Sequence, residues 1–343
     1  MNAILEGLKG RSYLSTADFS TEELQALLDL AIKHKQGEVD PGKPLAGKNV
    51  GLLFFNPSLR TRTSMEIAVQ QLGGITVVLE VGKGMWGLEY RDGVVMNEDK
   101  AEHIKEAAPV LSSYLDGLAV RCFPMMNDYQ EDRQEPILSA FQKHATVPLL
   151  NMESATQHPM QSMADMLTIQ EKFGSLKGRK VTLSWAYHPK ALPMAVSNSF
   201  ALAAAQNGMD ITIAAPPEFE LAPELTGQLE ELAGKSGGSV QTSHDLPEAS
   251  KDAEIIYAKS WGSYHYYGRL DEERALREQY KHWQITGDVM KNTKDGYFMH
   301  CLPVRRNVVV ADEVLDSPNS IVIQQASNRL HFQKTMMSVL LSS

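Results

Sequence analysis

The chain has 343 residues, 43% of them hydrophobic and 22% charged, with a formal net charge of −9. That length suits two α/β domains, and the composition is ordinary for a globular protein. The acidic balance argues against a general nucleic-acid surface, and no stretch approaches the apolar length of a membrane span.

Met1 to Ser15 reads as a short polar lead-in without an apolar signal core. Thr16 to Lys35 is expected to form an amphipathic helix, with Leu24, Leu27, Leu28, Leu30, Ala31 and Ile32 on or near one face. Residues 49–56, 75–81, 116–122 and 147–151 read as strands, separated by helical stretches near 63–72, 101–114 and 133–144. A helix from Gln161 to Phe173 follows, stopped by Gly174. A second alternating set is expected at 180–185, 210–214, 239–242, 254–258, 297–300 and 321–323, and a final helix from Ser327 to Leu341. The alternation predicts an α/β chain of two domains, each a parallel sheet flanked by helices. No Gly-x-Gly-x-x-Gly follows Trp185 and no Walker-type loop occurs, so neither dinucleotide binding nor ATP hydrolysis is supported. Cys122 and Cys301 are the only cysteines, which excludes a disulfide framework and fits a reducing, cytoplasmic compartment.

Three separated stretches carry the chemistry. Ser58-Leu59-Arg60-Thr61-Arg62-Thr63 follows a β-like run and a turn at Asn56-Pro57, then leads into a helical pattern. Strand, tight loop and helix start point free N–H groups at an anion, and Arg60 and Arg62 offer donor forks that match phosphate oxygens. His158-Pro159-Met160-Gln161 and His300-Cys301-Leu302-Pro303 are the other two. Taken singly each has a plainer reading: a solvated helix start, a turn histidine, a surface glutamine, a buried structural cysteine. Two distant cysteines without paired histidines do not make a zinc site, and no metal or other cofactor is expected. A Cys/His dyad is a weaker account of the same residues, because Cys301 is not needed as a nucleophile.

Together, in this order and spacing, the three stretches resemble the S-T-R-T-R, H-P-x-Q and H-C-L-P signatures of the aspartate/ornithine carbamoyltransferase family. The match runs from about residue 45 to about residue 335. The resemblance implies that family's fold, with a carbamoyl phosphate-binding domain over 1–155, completed by a C-terminal helix over 327–343, and an amine-substrate domain over 156–326. It also implies the roles of the residues. Ser58, Leu59, Arg60 and Thr61 hold the phosphate with Arg121 and Arg329; His158 donates to the carbonyl oxygen; Gln161 fixes the carbamoyl amino group, helped by the carbonyls of Cys301-Leu302-Pro303. Arg60, His158 and Gln161 are the expected catalytic residues. Leaving phosphate can take the amine's proton, so no side-chain base is demanded.

The branch is indicated by what is absent. Ornithine enzymes carry an Asp-x-x-x-Ser-Met-Gly segment that grips the α-amino and carboxylate groups, whereas here the strand end reads Tyr257-Ala258-Lys259-Ser260-Trp261-Gly262. Lysine would repel a free α-ammonium and attract a carboxylate, which points to an ornithine whose α-amine is acylated. With Asn151-Met152-Glu153 and Trp185-Ala186-Tyr187-His188-Pro189, this segment resembles the N-acetylornithine and N-succinylornithine carbamoyltransferases. By that resemblance Glu153, His188, Lys259, Leu302 and Arg305 contact the acylornithine. Trp86, in a glycine-rich loop, would reach the active site of an adjacent subunit, implying a homotrimer; alternatively it packs on its own domain. Acetyl enzymes place glutamate, and succinyl enzymes proline, at the position matched by Ala101; acetyl enzymes tend to carry lysine where Val309 stands. Alanine leaves space and adds no negative charge, which favours N-succinylornithine over N-acetylornithine, unless Ala101 is merely a helix former at a helix start. A catalytically silent binding protein on the same fold is the alternative from another class, which intact Arg60, His158 and Gln161 disfavour.

Overall fold

The computed structural model describes residues 3–342. The chain divides into two compact units, one from 1–125, 130–160 and 329–343, the other from 126–129 and 161–328. The first unit is built on β1 (Asn49–Phe54), β2 (Ile75–Glu80), β3 (Gly87–Glu89), β4 (Lys100–His103), β5 (Gly117–Arg121) and β6 (Leu149–Glu153). Its main sheet has the order β2-β1-β5-β6 and every pairing is parallel. Parallel neighbours need crossovers, which the helices Arg60–Gln71, Ile104–Tyr114 and Pro136–His144 supply. β5 and β6 are buried along their whole length, apolar at their starts and carrying Arg121, Asn151 and Glu153 toward their carboxyl ends. Gly51 in β1 is needed because a Cβ there would lie 2.5 Å from the Leu115 side chain. β2 is the edge strand and leaves Ile75 and Val77 exposed.

The N-terminal helix runs from Thr21 to Gln36, opened by a Ser20/Glu23 capping box and closed by Gly37 at φ 75°. The expected start at Thr16 is instead a 3-10 turn, Thr16–Asp18, with its own cap at Ser15. A second difference concerns Ala101. Residues 101–103, expected to open a helix, belong to β4, which pairs in parallel with β3. The helix begins at Ile104, where the His103 ring accepts from Lys105 N–H at 3.1 Å and the buried periodicity of Ile104, Ala107 and Ala108 starts. Ala101 is therefore an exposed strand residue, and the helix-former explanation for it falls.

The second unit carries β7 (Lys180–Trp185), β8 (Asp210–Ala214), β9 (Ser239–Ser243), β10 (Ile255–Lys259) and β11 (Tyr297–Met299) in the order β11-β10-β7-β8-β9, again all parallel. The chain winds outward from β7 through β8 and β9, then returns to β10 on the other side. That places the topological switch between β7 and β10, where ligands bind at the carboxyl ends of strands. The alanine-rich helix Ala195–Gln206 is buried on every side. The strand expected at 321–323 is absent: only Ser320 bridges to Phe298, and the helix Val322–Leu340 begins there. Ile321 and Val322 are buried while Ile323 is 73% exposed, a helical rather than an alternating pattern. That helix passes from the second unit to the first between Asn328 and Arg329. Among the described residues no helix is long and apolar enough to cross a membrane.

Candidate active site

In the first unit the candidate side chains Arg121 and Glu153 stand at the carboxyl ends of the strands because register puts them there. Phe54 pairs with Arg121, and Arg121 with Glu153, after a one-residue shift in the β5–β6 ladder. The shift turns Glu153, at φ 150°, toward Arg121 and His158. The Arg121 Nη1 donates to Glu153 Oε2, and His158 Nε2 lies 3.5 Å from the same oxygen. All three side chains are buried. Arg121 Nε is buried with no hydrogen-bond partner among the described residues.

Past β1 the chain turns through Asn56-Pro57 and enters the helix at Arg60. Ser58 Oγ accepts from Thr61 N–H at 3.1 Å, so the serine serves as a cap one residue outside Leu59, which is 77% exposed. Thr61 is buried, and its hydroxyl accepts from the buried Arg329 Nη2 at 2.6 Å. Arg62 is engaged otherwise than its motif suggests. It binds Glu66 at 3.0 Å and also Glu80, and both carboxylates raise its pKa. Arg60, Arg121 and Arg329, the guanidiniums expected to hold a phosphate, all belong to this unit.

A half-buried carboxylate shapes the loop between Glu153 and His158. Glu135 adopts φ 53°, and its oxygens accept from Ser154 Oγ (2.8 Å), Ala155 N–H (3.0 Å), Thr156 N–H (2.7 Å) and Thr156 Oγ1 (2.6 Å). Burial pushes this carboxyl's pKa up, against the four donors.

In the second unit β10 ends at Lys259, paired in register with Trp185 at the end of β7. Lys259 is 8% exposed and forms no ion pair among the described residues. Three residues past β7, His188 Nε2 accepts from Arg305 Nε at 3.0 Å, leaving the ring proton on Nδ1 for the Lys190 carbonyl at 2.9 Å. Burial first, then the charges of Arg305 and Lys259, hold the His188 pKa below its usual value. Past β11, Leu302 has φ 55° and a cis bond to Pro303, and its N–H donates to His300 Nδ1 at 2.9 Å. Cys301 is buried. Gln161, 1% exposed, donates from Nε2 to Asp165 Oδ1 at 2.8 Å.

Trp86 is 58% exposed just before β3, and its indole N–H donates to Glu102 at 2.6 Å. Ala101 precedes that glutamate. Val309 is buried in the turn after Arg305. The sequence reading passed over Glu135, Asp165 and Gln325; the only sequence signal for Asp165 is its place one helical turn after Gln161. No group of His, Cys, Asp or Glu side chains placed to hold a metal occurs among the described residues.

Two family models cover most of the chain: the carbamoyl-P binding domain of aspartate/ornithine carbamoyltransferase over residues 11–171, and its Asp/Orn binding domain over residues 193–340. The N-acetylornithine carbamoyltransferase of Xanthomonas campestris pv. campestris is 45% identical over 333 residues, 96% of this chain and 97% of that protein. The N-succinylornithine carbamoyltransferase of Bacteroides thetaiotaomicron is 40% identical over 282 residues, 82% and 84% of the two chains. An ornithine carbamoyltransferase of Thermococcus kodakarensis is 35% identical over 339 residues, 97% of each. A crystal structure of acetylornithine transcarbamylase complexed with acetylcitrulline superposes with a TM-score of 0.94 at 44% identity, covering 97% of this chain and all of the other. One of a glutamate-to-alanine mutant of N-acetyl-L-ornithine transcarbamylase, complexed with carbamyl phosphate and N-succinyl-L-norvaline, gives 0.93 at 45% identity, covering 96% and 99%. The chain belongs to the aspartate/ornithine carbamoyltransferase family, as a carbamoyltransferase of its acyl-ornithine branch.

Proposed function

We propose that the protein transfers the carbamoyl group of carbamoyl phosphate to the δ-amine of N-succinyl-L-ornithine, giving N-succinyl-L-citrulline and phosphate, in cytoplasmic arginine synthesis. The observation that carries the acylated substrate is Lys259: a buried ammonium without a carboxylate partner suits a substrate carboxylate and repels a free α-ammonium. In this reading the first unit binds carbamoyl phosphate and the second the acylornithine. Ser58, Leu59, Arg60, Thr61, Arg121 and Arg329 hold the phosphate. The amine attacks the carbonyl carbon, the C–N bond forms, and the C–O bond to phosphate breaks. His158 donates to the oxygen on which charge develops, and the departing phosphate takes the amine's proton. Gln161 aligns the carbamoyl amino group with the carbonyls of Cys301 and Leu302. Glu153, His188, Lys259, Leu302 and Arg305 hold the acylornithine.

The acyl group is read from Ala101, a small neutral side chain on exposed β4 beside Glu102. A similar acetyl enzyme with glutamate replaced by alanine is complexed with N-succinyl-L-norvaline, which is consistent with alanine leaving room for a succinyl carboxylate. The 45% identity to an acetylornithine enzyme favours the acetyl substrate as the second reading. The homotrimer reading is supported by exposed Trp86 and by the exposed apolar edge at Ile75 and Val77. Parallel kinetics with N-succinylornithine and N-acetylornithine, on the parent and on Ala101→Glu, test the assignment. We expect the parent to prefer the succinyl substrate and Ala101→Glu to lose that preference. A parent that prefers the acetyl substrate overturns it.

A further inference from the structure

We infer that Asp165 is a positioning residue that makes the site select a carbamoyl group over an acetyl group, by fixing which end of the Gln161 amide faces the ligand. The inference rests on the carbamoyltransferase reading above. Gln161 and Asp165 are one turn apart on the helix Pro159–Phe173, 1% and 0% exposed. Asp165 Oδ1 accepts from Gln161 Nε2 at 2.8 Å and from Gln325 Nε2 at 2.8 Å. A carboxylate oxygen only accepts, so it binds the NH2 end of each amide. Gln161 Oε1 is thereby turned away from Asp165, and this buried atom finds no hydrogen-bond partner among the described residues. Gln325, oriented by the same oxygen, presents its own Oε1 to the His300 N–H at 2.9 Å, at the start of the His-Cys-Leu-Pro loop. One buried carboxylate therefore sets two amides and turns both carbonyl ends away from itself.

An acceptor at Gln161 suits the N–H of a carbamoyl NH2 and has nothing to offer the methyl group of an acetyl. With the amide flipped, its NH2 would meet the ligand NH2, donor against donor. Acetyl phosphate, which has methyl in place of NH2, is the probe for this readout.

The test titrates carbamoyl phosphate, acetyl phosphate and inorganic phosphate into the parent, Asp165→Ala, Asp165→Asn and Gln161→Ala. Asp165→Ala should lower the carbamoyl-to-acetyl affinity ratio by about tenfold or more, while inorganic phosphate affinity stays within about twofold. Asp165→Asn keeps an Oδ1 acceptor and should retain most of the ratio, which a purely charge-based structural role would not allow. In a Gln161→Ala background the Asp165 substitution should have no further effect on the ratio. Asp165→Leu, which refills the volume, stands in if the alanine variant does not fold. An unchanged ratio in both Asp165→Ala and Asp165→Leu overturns the role of Asp165 alone. A parent that binds phosphate but does not prefer carbamoyl over acetyl phosphate overturns the reading of Gln161 as well, and one that binds none of the three overturns the carbamoyltransferase reading.

Discussion

Arg329 Nη2 donates to the Thr61 hydroxyl at 2.6 Å, joining residues 268 positions apart in the chain. The guanidinium comes from the helix Val322–Leu340 and the hydroxyl from the first turn of the helix Arg60–Gln71. This bond fixes both groups before any anion arrives, which lowers the ordering cost of binding. Arg329→Ala should weaken carbamoyl phosphate and inorganic phosphate binding in parallel, by roughly 10- to 100-fold each. Titration of both ligands checks this; a loss confined to carbamoyl phosphate would contradict a phosphate-holding role.

Arg60→Ala and His158→Ala should fail differently. The first removes a charge-assisted pair and should cost on the order of 3 kcal/mol or more in transition-state binding. The second should lower turnover with little change in carbamoyl phosphate affinity, because its bond to oxygen strengthens only as charge develops. Steady-state kinetics beside equilibrium binding separates the two patterns. Near-normal turnover in both variants would place the chemistry elsewhere.

Much of this was legible in the residues, and the exceptions share a cause. The runs Val181–Trp185 and Ile255–Lys259 are mostly apolar and rich in β-branched and aromatic residues, the mark of parallel strands buried on both faces. The run Ile321–Ile323 has the same composition and is not a strand, since its successors Gln325, Asn328 and Arg329 are buried at helical spacing. β4 has no alternation of its own and exists through pairing with β3. The signature stretches likewise named candidate residues but not the side chains that fold against them. That Arg62 is engaged by Glu80, or that Glu135 holds the turn before His158, depends on proximity created by folding.

The His188–Arg305 contact should impose a pH dependence. Neutral His188 accepts from Arg305, whereas a protonated ring loses that acceptor and sets a cation beside a cation. Its folded pKa is depressed, so its contribution to stability is complete above the unfolded value of about 6.5 and is lost as pH falls through the lower folded value. His34, depressed chiefly by burial, works in the same direction. Thermal melts between about pH 7.5 and 5 should show a fall in Tm that His188→Gln reduces, leaving the share due to His34. An unaltered slope in that variant would contradict the assignment.

Shared sites make a different prediction for Trp86. Its indole N–H is held by Glu102, which presents the ring outward from β3 and β4. Trp86→Ala and Arg60→Ala, each inactive alone, should regain part of their activity when mixed and reassembled, because some sites then contain both intact residues. Sedimentation must confirm subunit exchange. A monomer, or no rescue after exchange, counts against shared sites.

The passage of one helix from the second unit into the first also sets an order of biosynthesis. A ribosome releases the strands β1 to β6 before the second unit, yet Arg329 only after it. Leu341, whose carbonyl accepts from Lys48 Nζ at 2.6 Å and whose side chain covers Gly117, follows later still. The sheet β2-β1-β5-β6 must therefore wait, with this part of its packing open, until the whole second unit has been translated.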